Sequence, residues 1–413
     1  MTAAPLGIGF VGAGFMNRFH VASLVGVRDC VVSGVFSPTR EHAEQLASMS
    51  RDLGLGETAI HASIADLVAD PDVDALWVAT TNDTRVAVIE EIVDAVRGGK
   101  GSLIGIACEK PLARNLAEAR RMLDLIETTP LLHGYLENQV FQPSLVRGKE
   151  IIWRRAAPIA GRPYLARAAE EHSGPHMPWF WSGERQGGGV LNDMLCHSYE
   201  AGRHLLTAPD EPRDALSVVD VSAQIASLKW TRPEYVELLR EQTGGAVDYG
   251  RAPAEDFARA TVRLRSPEGH PLIVEATTSW CFVGPGLRLR MELLGPEYSM
   301  QVDTLASELS VFLSRRVTGS EGEDLVEKQN AEQGLMPVVP DEAASYGYVA
   351  ENRHMVRAFL EGRQPDETWE DGLAVTEVLM ACYLSAEQGR VVTFPAPELE
   401  TFVPAVAREA WRA

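Results

Sequence analysis

The stretch LGIGFVGAGFMN, residues 6–17, decides how the chain folds. Its first six residues form a short apolar run that predicts a buried strand, and the segment from about Phe15 to Val25 has the periodicity of a helix. Between them, Gly12 permits a tight turn, and Gly14 permits the backbone to approach a pyrophosphate closely. The amides at the helix N-terminus are then free to bind phosphate oxygens. The stretch therefore predicts a strand–turn–helix unit that binds a dinucleotide.

The match to the dinucleotide fingerprint is incomplete at one position. Asn17 stands where a third glycine or an alanine is usual. An ordinary strand-to-helix turn is the alternative interpretation, but the motif begins an alternating pattern of strands and helices, which argues against it. We therefore expect Gly12, Gly14, Phe15 and Met16 to contact the cofactor.

The end of the second predicted strand is where such proteins recognise the adenosine ribose. An acidic residue there favours the 2′-hydroxyl of NAD. The chain has Ser37 at this position, and Arg40 is near enough to meet a 2′-phosphate. These two residues favour NADP over NAD, although Arg40 can equally be a solvated residue in the first turn of a helix.

Strands and helices alternate through the first third of the chain, which predicts βαβ units and a parallel sheet. After the strand at residues 6–11, the predicted strands are Cys30–Phe36, Ala75–Thr80, Leu103–Glu109 and Leu131–Leu136. The predicted helices are Arg40–Met49, Ile64–Leu67, Arg85–Val96 and Leu116–Glu127.

The pattern changes after about Gln142, where strand-like runs follow one another with few helices between them. This spacing predicts a second domain with a largely antiparallel sheet, so we divide the chain at residues 1–141 and 142–413. The predicted strands are Arg162–Ala169, Ser217–Leu228, Phe257–Arg265, Leu272–Ser279 and Leu287–Leu294. The predicted helices are Val190–Leu206, Pro233–Arg240, Tyr346–Leu360 and Gly372–Glu387, and residues 319–328 are predicted to be a surface loop.

The composition is typical of a soluble globular protein, with 413 residues of which 45% are hydrophobic and 23% are charged. The net charge of -20 repels phosphate backbones and anionic lipids, so we expect neither a nucleic-acid nor a membrane partner. No apolar run reaches the ~20 residues of a bilayer span, and no signal peptide is recognisable. The five cysteines are scattered and predict neither disulfides nor a zinc site, which favours a cytoplasmic location.

A charged pair, Glu109 and Lys110, ends another predicted strand. The carboxyl ends of parallel strands are where ligands bind in this architecture. Beside a nicotinamide, the charge of Lys110 would stabilise an alkoxide that develops on a substrate. We therefore expect Lys110 to contact both cofactor and substrate, with a surface lysine in a loop as the alternative.

The segment GGGVLNDMLCH, residues 187–197, opens the main helix of the second domain. Asp193 and His197 lie four residues apart, so they are predicted to share one helical face. A histidine beside a carboxylate suits general acid–base catalysis near neutral pH. The three glycines indicate close approach of the backbone to another group. The alternative is a helix whose aspartate and histidine face only water or each other.

The aromatic segment just before those glycines, residues 169–181, is expected to border the substrate site. Trp179 and Trp181 offer flat faces to a sugar ring, and His172 and His176 can hydrogen-bond hydroxyl groups. Packing of the aromatic rings on the protein itself is the alternative. A metal site is a further alternative, but the spacing matches no recognised motif and we expect no metal. Its ligands would be Glu170, His172, His176 and His197.

Two polar residues at the end of the first domain, Tyr135 and Asn138, are expected to line the same pocket. The predicted helix at residues 346–360 also carries polar and aromatic residues that can approach the site. A buried apolar stripe on that helix favours a structural role for them. They are Tyr346, Tyr348, Asn352 and His354.

Together these segments resemble the Gfo/Idh/MocA oxidoreductases, the family of glucose–fructose oxidoreductase and inositol dehydrogenase. The resemblance covers nearly the whole chain and rests on VGAGFMN (11–17), DVDALWVATTNDTR (72–85), CEKPLARNLAEAR (108–120), GGGVLNDMLCH (187–197) and ENRHMVRAFLEGRQP (351–365). It implies an α/β protein with a nicotinamide cofactor. Residues 1–141 would be a dinucleotide-binding Rossmann domain with a doubly wound parallel sheet. Residues 142–413 would be an α+β domain for substrate binding and oligomerisation, with a large, mostly antiparallel open sheet.

The resemblance also implies catalytic residues. Lys110 matches the lysine of the family's EKP motif, and Asp193 and His197 match the aspartate and histidine of the helix. In the family these three residues surround the reacting carbinol. Leu195 departs from the family pattern, because many relatives have glycine there, and this puts the shape of the substrate in doubt.

Cofactor contacts follow from the resemblance in the same way. Thr80 and Asn82 match a segment that contacts the cofactor, and Glu109 matches the residue near the nicotinamide ribose. Thr81 replaces a common proline and Arg85 a common histidine, which leaves the cofactor preference open.

The expected function is hydride transfer between NAD or NADP and a secondary alcohol or ketone of a sugar, glycoside, inositol or related polyol. A homodimer or homotetramer is the expected assembly. One alternative is elimination or glycoside cleavage in which bound NAD is only a transient oxidant. A second alternative is a dinucleotide-sensing protein without turnover.

Overall fold

The computed structural model describes residues 4–306, 309–313 and 334–412, so the loop predicted at residues 319–328 lies outside it. The chain forms two compact units. The first unit is Met1–Gln142 with Tyr346–Ala374, and the second unit is Pro143–Ser345 with Val375–Ala413. The late segment Tyr346–Ala374 thus lies in the first unit, whereas the division by sequence pattern placed it in the second domain.

The first 142 residues supply a six-stranded sheet and five helices among the described residues. The strands are β1 (Leu6–Val11), β2 (Cys30–Phe36), β3 (Ala59–Ile60), β4 (Ala75–Val78), β5 (Gly105–Glu109) and β6 (Leu132–Leu136). The helices are α1 (Phe15–Leu24), α2 (Arg40–Asp52), α3 (Ile64–Ala69), α4 (Arg85–Arg97) and α5 (Leu116–Ile126). The strand order is β3-β2-β1-β4-β5-β6 and every pairing is parallel, which confirms the predicted doubly wound sheet.

The order of the strands predicts where a ligand binds in the first unit. The chain leaves β1 for its neighbour β2 on one side and later returns to β4 on the other side. The carboxyl ends of β1 and β4 therefore flank the topological switch point, where ligands bind in open α/β sheets. All six residues of β1 are buried, as expected for a strand with helices on both faces.

The second unit carries a seven-stranded sheet. Its helices are α6 (Pro143–Ile151), α7 (Ala157–Ala160), α8 (Gly183–Gln186), α9 (Cys196–Leu206), α10 (Pro233–Gln242) and α11 (Glu342–Ser345), with π-helical turns at Ile152–Ala156 and Leu191–Leu195. Its strands are β7 (Leu165–Glu171), β8 (Ser217–Ala226), β9 (Phe257–Arg265), β10 (Pro271–Ser279), β11 (Arg288–Gly295), β12 (Tyr298–Asp303), β13 (Leu309–Leu313), β14 (Gly334–Val338) and β15 (Val392–Thr393). The sheet order is β12-β11-β7-β10-β9-β8-β15, with β7 and β10 parallel and the other described pairs antiparallel. This confirms the predicted, mostly antiparallel sheet.

Two further helices complete the described chain, α12 (Tyr348–Leu360) and α13 (Trp369–Gln388). Helix α12 packs in the first unit through Met355, Val356 and Phe359, which join one core beside the sheet together with α1 and α2. Helices α3, α4 and α5 form the core on the opposite face. The late segment therefore completes the cover that α1 and α2 give to one face of the parallel sheet.

One face of the sheet in the second unit is covered by α9. Gly202 lies where a Cβ atom would come within 2.6 Å of a methyl group of Val274, so the helix and β10 pack closely. Side chains alternate between buried and more exposed along β9, β10 and β11, as expected for a sheet with one covered face. The other face carries arginine and glutamate side chains such as Arg167 and Glu275, whose charged groups lie 2.6 Å apart.

The first strand of the second unit begins and ends later than predicted. The prediction was Arg162–Ala169, whereas β7 runs from Leu165 to Glu171. Arg162 lies before the strand and forms ion pairs with Glu211 at 2.8 Å and Glu268 at 2.6 Å. Strands β10 and β11 pair with β7 as far as Glu171, which extends its carboxyl end. In the described part of the chain, none of the helices is long and apolar enough to cross a membrane.

Candidate functional site

The glycine turn after β1 has the geometry that a dinucleotide requires. Gly12 has a φ of 97°, and a Cβ atom there would lie 2.9 Å from Asn17 Nδ2 and 3.0 Å from the carbonyl oxygen of Ala79. Both the conformation and the contacts therefore require glycine. A Cβ atom at Gly14 would meet no atom of the chain within 4 Å. The absence of a side chain at Gly14 leaves open space in front of the N-terminus of α1.

Asn17 replaces the third glycine of the fingerprint without loosening the helix. It is fully buried, and its Nδ2 donates a hydrogen bond of 3.1 Å to the carbonyl oxygen of Val11 at the end of β1. In the fingerprint, the third glycine allows the helix to pack closely on the strand. Here the amide side chain joins α1 directly to β1, so the departure at Asn17 keeps the turn in place.

The ends of β1 and β4 fit a dinucleotide. Gly14 forms the N-cap of α1, no side chain caps the helix, and the space beside Gly14 is open. The hydroxyl oxygen of Thr80 is buried and has no hydrogen-bond partner among the described residues. Phe15 is 42% exposed and Met16 is half-buried in the first turn of the helix. The N-terminus of a helix and a hydroxyl group at the switch point offer donors that suit phosphate and ribose oxygens.

The end of β2 shows Ser37 and Arg40 in local roles. The Ser37 hydroxyl accepts a hydrogen bond of 3.3 Å from the amide of Thr39. Arg40 is exposed and pairs with Glu44 one helical turn later, at 2.9 Å. A surface pair of this kind contributes little to stability and can be exchanged for a ligand at little cost.

Arg85 joins two loops at the carboxyl edge of the parallel sheet. Its guanidinium group is buried and donates hydrogen bonds to the carbonyl oxygen of Pro111 and, at 2.9 Å, to that of Thr80. The loop that contains Thr80 follows β4, and the loop that contains Lys110 follows β5. Sequence reasoning noted Arg85 only as a departure from the family, and no local pattern could have revealed that it bridges these two loops.

Glu109 ends β5 as a buried carboxylate with defined partners. Its Oε1 lies 2.8 Å from Nε2 of His20, and its Oε2 accepts a hydrogen bond of 3.0 Å from the backbone amide of Lys110. Burial raises the pKa of Glu109, but the interaction with His20 and the charges of Lys110 and Arg85 lower it by more. Glu109 is therefore ionised, next to the half-buried Lys110.

Tyr135 and Asn138 are both buried in the first unit. The side-chain amide of Asn138 donates a hydrogen bond of 2.7 Å to the carbonyl oxygen of Tyr346, where the late segment enters the unit. The backbone amide of Tyr135 bonds the carbonyl oxygen of Glu367 at 3.0 Å. Both residues thus hold the late segment against the end of β6, a contact that joins positions more than 200 residues apart.

In the second unit, Asp193 lies in the π-helical turn and His197 in the first turn of α9; both are buried. Nε1 of Trp280 donates a hydrogen bond of 3.2 Å to Oδ2 of Asp193. Trp280 directly follows β10 and is itself fully buried, so this donor is fixed by the sheet. Sequence reasoning missed Trp280 because 87 residues separate it from its partner.

The triple glycine approaches groups of the protein itself. A Cβ atom at Gly188 would lie 1.9 Å from the hydroxyl oxygen of Tyr383, and one at Gly189 would lie 2.7 Å from the carboxyl group of Glu255. The close approach that the glycines predicted is therefore present, and the partners are Tyr383 and Glu255. The glycines allow the start of the helix that carries Asp193 and His197 to pack against these two side chains.

Glu255 holds the start of that helix. Its Oε1 accepts hydrogen bonds from the amides of Gly189 at 2.9 Å and Leu191 at 3.0 Å, and from the hydroxyl group of Tyr383 at 2.6 Å. Complete burial raises the pKa of Glu255 to about 7, although these hydrogen bonds act in the opposite direction. The helix that carries Asp193 thus begins at a carboxyl group that changes charge near neutral pH.

The aromatic segment divides into a buried part and a more exposed part. Trp181 is 3% exposed and packs against Trp230, Tyr249 and Trp280, with ring centroids 4.8 to 5.4 Å apart. For Trp181 this is the packing alternative that the sequence left open. Trp179 is half-buried and stacks on Phe180, with ring centroids 3.8 Å apart, so it is the tryptophan with free surface.

The two histidines of this segment lie in different environments. His172 is buried and its Nδ1 accepts a hydrogen bond of 3.0 Å from the amide of Gly174, while His176 is exposed. The four residues of the metal alternative do not bring their ligand atoms within 4.8 Å of one another as a group. They are Glu170, His172, His176 and His197. All five cysteines are free thiols.

The fold and these features define a class of protein. A doubly wound parallel sheet with an open glycine turn at its switch point is that of a dinucleotide-binding protein, here joined to a second unit with a large, mostly antiparallel sheet. Residues 6–134 match the profile described as "Oxidoreductase family, NAD-binding Rossmann fold", and residues 169–394 match the family's "C-terminal alpha/beta domain". The chain belongs to the Gfo/Idh/MocA oxidoreductase family.

Named relatives act on sugars and inositols. The chain is 29% identical to 1,5-anhydro-D-fructose reductase of Ensifer adhaerens over 51% of its own length and 59% of that protein. It is 26% identical to myo-inositol 2-dehydrogenase of Thermotoga maritima over 48% of its length and 54% of that protein. The matched parts thus span little more than half of these two relatives. Levoglucosan dehydrogenase of Pseudarthrobacter phenanthrenivorans is 25% identical, with 94% of this chain and 98% of that protein covered.

Solved structures share the fold along nearly the whole chain. GenD2 from gentamicin A biosynthesis, solved in complex with NAD, has a TM-score of 0.75 and 24% identity, with 96% of this chain and 98% of that chain covered. A levoglucosan dehydrogenase in complex with NADH and levoglucosan has a TM-score of 0.68 and 20% identity, with 95% and 100% covered. These similarities support the two-part fold.

Proposed function

We propose that the protein transfers a hydride between a nicotinamide dinucleotide and a secondary alcohol or ketone of a sugar, glycoside, inositol or related polyol. The observation that carries this proposal is the open glycine turn at the switch point, where Gly14 and Thr80 offer space and donors to a dinucleotide. Family membership and the substrates named for the relatives support the substrate class. In this proposal the first unit binds the dinucleotide, and the second unit supplies substrate contacts.

The proposed catalytic residues are Lys110, Asp193 and His197. Lys110 polarises the reacting oxygen, because a fixed ammonium group stabilises an alkoxide. His197 takes the hydroxyl proton, and Asp193, whose carboxylate is held by Trp280, orients His197. The nicotinamide supplies only the hydride acceptor or donor. Ketone reduction uses the same residues in the opposite direction.

Other site residues are proposed with narrower roles. Glu109 is proposed to bind the nicotinamide ribose and Asn82 to contact the cofactor, since Asn82 follows Thr80 after the end of β4. For the substrate we propose Trp179 and His176, which have exposed surface. We propose that buried residues of the same segment, of β6 and of the turn after β6 form a supporting layer. That layer consists of Tyr135, Asn138, His172 and Trp181.

We propose NADP as the preferred cofactor, on the basis of Ser37 and Arg40. No carboxylate stands at the end of β2 to bind a 2′-hydroxyl group, and Arg40 can leave Glu44 for a phosphate because the pair is exposed. Titration with NADPH and with NADH measures this preference. Arg40→Ala should then weaken the binding of NADPH about tenfold and leave that of NADH unchanged.

The experiment that tests the proposed function is a panel of sugars, glycosides and inositols with both nicotinamides. Reduced cofactor is followed by absorbance, and products are identified by mass spectrometry, which separates net oxidation from elimination. Lys110→Ala should abolish turnover and leave the fold intact, whereas the exposed lysine variant Lys100→Ala should retain turnover. Normal turnover in Lys110→Ala would refute the assignment.

We also propose that copies of the chain associate through the open face of the sheet in the second unit, as a homodimer or homotetramer. Side chains on that face form ion pairs across the strands, such as Arg167 with Glu275 and Arg288 with Glu171.

Five free cysteines support a reducing compartment such as the cytoplasm as the proposed location.

A further inference from the structure

A chain of buried hydrogen bonds in the first unit leads from α12 to the proposed ribose-binding carboxylate. Nε1 of Trp77 donates to Oδ1 of Asn352 at 2.8 Å, and Nδ2 of Asn352 lies 3.0 Å from Nδ1 of His20. Nε2 of His20 lies 2.8 Å from Oε1 of Glu109. Trp77, His20 and Asn352 have no exposed surface and Glu109 has 4%. Four polar side chains from β4, α12, α1 and β5 thus form one connected path.

Three neighbours fix the orientation of the Asn352 amide. The indole nitrogen of Trp77 can only donate, so it must face the amide oxygen. On the other side, the carbonyl oxygen of Tyr348 can only accept, and it lies 2.9 Å from Nδ2. The hydroxyl oxygen of Ser23, which donates to the carbonyl oxygen of His20, accepts from the same Nδ2 at 3.0 Å. The amino group of Asn352 must therefore face His20.

This orientation determines the protonation of His20. The amide nitrogen of Asn352 shares its two hydrogens among Tyr348, Ser23 and His20, and it cannot accept a hydrogen bond. A proton on Nδ1 of His20 would therefore have no acceptor, so Nδ1 carries no proton. A neutral imidazole with an unprotonated Nδ1 has its proton on Nε2, which faces Oε1 of Glu109. His20 is thus the neutral Nε2–H tautomer, and it donates to an ionised carboxylate. A protonated Nδ1 would place two donors against each other inside the core.

We propose that Asn352 and His20 are positioning residues, which hold Glu109 as an oriented carboxylate for the nicotinamide ribose of the dinucleotide. The inference rests on the proposed function for its ligand, but the tautomer of His20 follows from the protein alone. Burying four polar groups costs free energy that an apolar core would not cost, so the presence of all four on one connected path points to a role at its end. That end is Glu109, whose second oxygen accepts from the amide of Lys110.

In this proposal the late segment Tyr346–Ala374 contributes to dinucleotide binding as well as to the core of the first unit. Asn352 lies 332 residues after its partner His20 in the sequence. None of the hydrogen bonds described for Asn352 joins it to the glycine turn. The sequence pattern favoured a structural role for Asn352, because it lies beside an apolar stripe. In the proposal, the apolar stripe of α12 packs against the core, and Asn352 on the same helix orients the carboxylate of Glu109 through His20.

The first experiment is nuclear magnetic resonance of the full chain labelled with ¹⁵N-histidine, at pH 7 and without ligand. His20→Gln identifies the His20 signals among the ten histidines. We expect the neutral Nε2–H tautomer. In Asn352→Asp the carboxylate can accept from both Trp77 and His20, so His20 should become doubly protonated. A proton on Nδ1 in the wild type, or an unchanged His20 in Asn352→Asp, would overturn the inference.

The second experiment measures dinucleotide binding by fluorescence of NADH and NADPH. His20→Ala removes the donor to Glu109 and should weaken binding about tenfold. His20→Gln should restore binding, because its amide can accept from Asn352 and donate to Glu109. The matched control is Asn115→Asp, which makes the same charge change as Asn352→Asp at the N-cap of α5 and keeps the cap. Its binding and His20 signals should equal those of the wild type.

The outcomes separate the two proposals. If the wild type binds neither NADH nor NADPH, the proposed function fails, and the magnetic resonance experiment still decides the tautomer. If the wild type binds the dinucleotide, and His20→Ala and His20→Gln both bind it as tightly as the wild type does, the positioning role is refuted. Should His20→Ala fail to fold, His20→Leu, which fills the site without a donor, takes its place, and binding by His20→Leu as tight as that of His20→Gln would refute the positioning role.

Discussion

At the scale of single residues, Glu255 couples the stability of the second unit to pH. Burial raises its pKa to about 7, above the ordinary value of 4.5. A carboxyl group whose pKa is raised by folding favours the folded state when it is neutral. Its contribution is therefore complete below about pH 4.5 and is lost as the pH rises through about 7.

Glu255→Gln should remove this pH dependence. The amide oxygen of glutamine can still accept from Gly189 and Leu191, and it never ionises. Between pH 4 and pH 8 the wild type should lose roughly 3 kcal/mol of stability that the variant does not lose. Urea denaturation at several pH values measures the difference. The exposed variant Glu241→Gln is the control and should follow the wild type; parallel curves for wild type and Glu255→Gln would contradict the assignment.

Gly14 lies beside open space and Gly188 lies against a side chain, so alanine should affect binding at the first position and stability at the second. A Cβ atom at Gly14 meets nothing, so Gly14→Ala should fold with unchanged stability and bind a dinucleotide at least about tenfold more weakly. A Cβ atom at Gly188 would overlap the hydroxyl group of Tyr383, so Gly188→Ala should cost about 2 kcal/mol or more. Thermal denaturation and titration with NADH and NADPH give the two readouts. Equal loss of stability in both variants would contradict the distinction.

At the scale of elements, the start of α9 depends on the strand that its residues face. Trp280 follows β10 and holds Asp193 in the π-helical turn, a local form that is frequent at functional sites. Trp280→Phe keeps an aromatic ring and removes the donor. We expect kcat to fall about tenfold or more with the Kd of the dinucleotide unchanged, because a hydrogen bond to a charged group is lost.

The control for this prediction is Trp230→Phe. Trp230 belongs to the same aromatic cluster and donates to the carbonyl oxygen of Trp280 at 2.9 Å, but the described bonds do not link it to Asp193. Its kcat should remain close to that of the wild type after correction for stability. Equal losses of kcat in the two variants would show that packing alone matters, and steady-state kinetics with a substrate found in the panel provides the test.

The elements near the glycine turn were predictable because their signals are local. The strands Leu6–Val11 and Cys30–Phe36 match the prediction residue by residue, since apolar runs bounded by turn residues define buried parallel strands. The short edge strands β3 and β15, each of two residues, were not predicted, because two residues carry no periodicity. The start of β7 was placed too early because Arg162–Pro163–Tyr164 has no local feature that separates it from the strand.

The candidate site was only partly predictable for a related reason. Gly12, Glu109 and Lys110 follow strands whose ends could be read from the sequence. The partners that hold them, such as His20 with Asn352 or Asp193 with Trp280, are far apart along the chain, and their pairing depends on the folded core. The meaning of Gly188 likewise depended on Tyr383, 195 positions later in the sequence.

At the scale of the whole molecule, the two units interrupt each other along the chain. The first unit needs Tyr346–Ala374 to cover its sheet, and Phe359 of that segment packs edge-to-face against Trp77 at 5.8 Å between ring centroids. A fragment that ends at Gln142 lacks this cover and leaves one core open. Dinucleotide binding in this chain therefore depends on a segment that follows most of the second unit in the sequence.

The net charge of -20 and the open sheet face together bear on self-association. A strongly acidic surface keeps copies apart, whereas the open face pairs arginines with carboxylates in rows across the strands. Beside the row that contains Arg167 lies an apolar row in which Leu165 pairs with Ile273 and Leu294. Balanced charge beside apolar side chains is the composition expected where two copies meet without repulsion.

Arg167→Glu should therefore dissociate the proposed assembly. Arg167 lies between Glu275 and Glu292 on neighbouring strands, so the variant places three carboxylates side by side on the open face of each copy. Light scattering after size exclusion should give a multiple of 45.1 kDa for the wild type and 45.1 kDa for the variant. Lys100→Glu, which makes the same charge change on the exposed surface of the first unit, should keep the wild-type mass. A wild-type mass of 45.1 kDa, or an unchanged mass in Arg167→Glu, would reject this face as the interface.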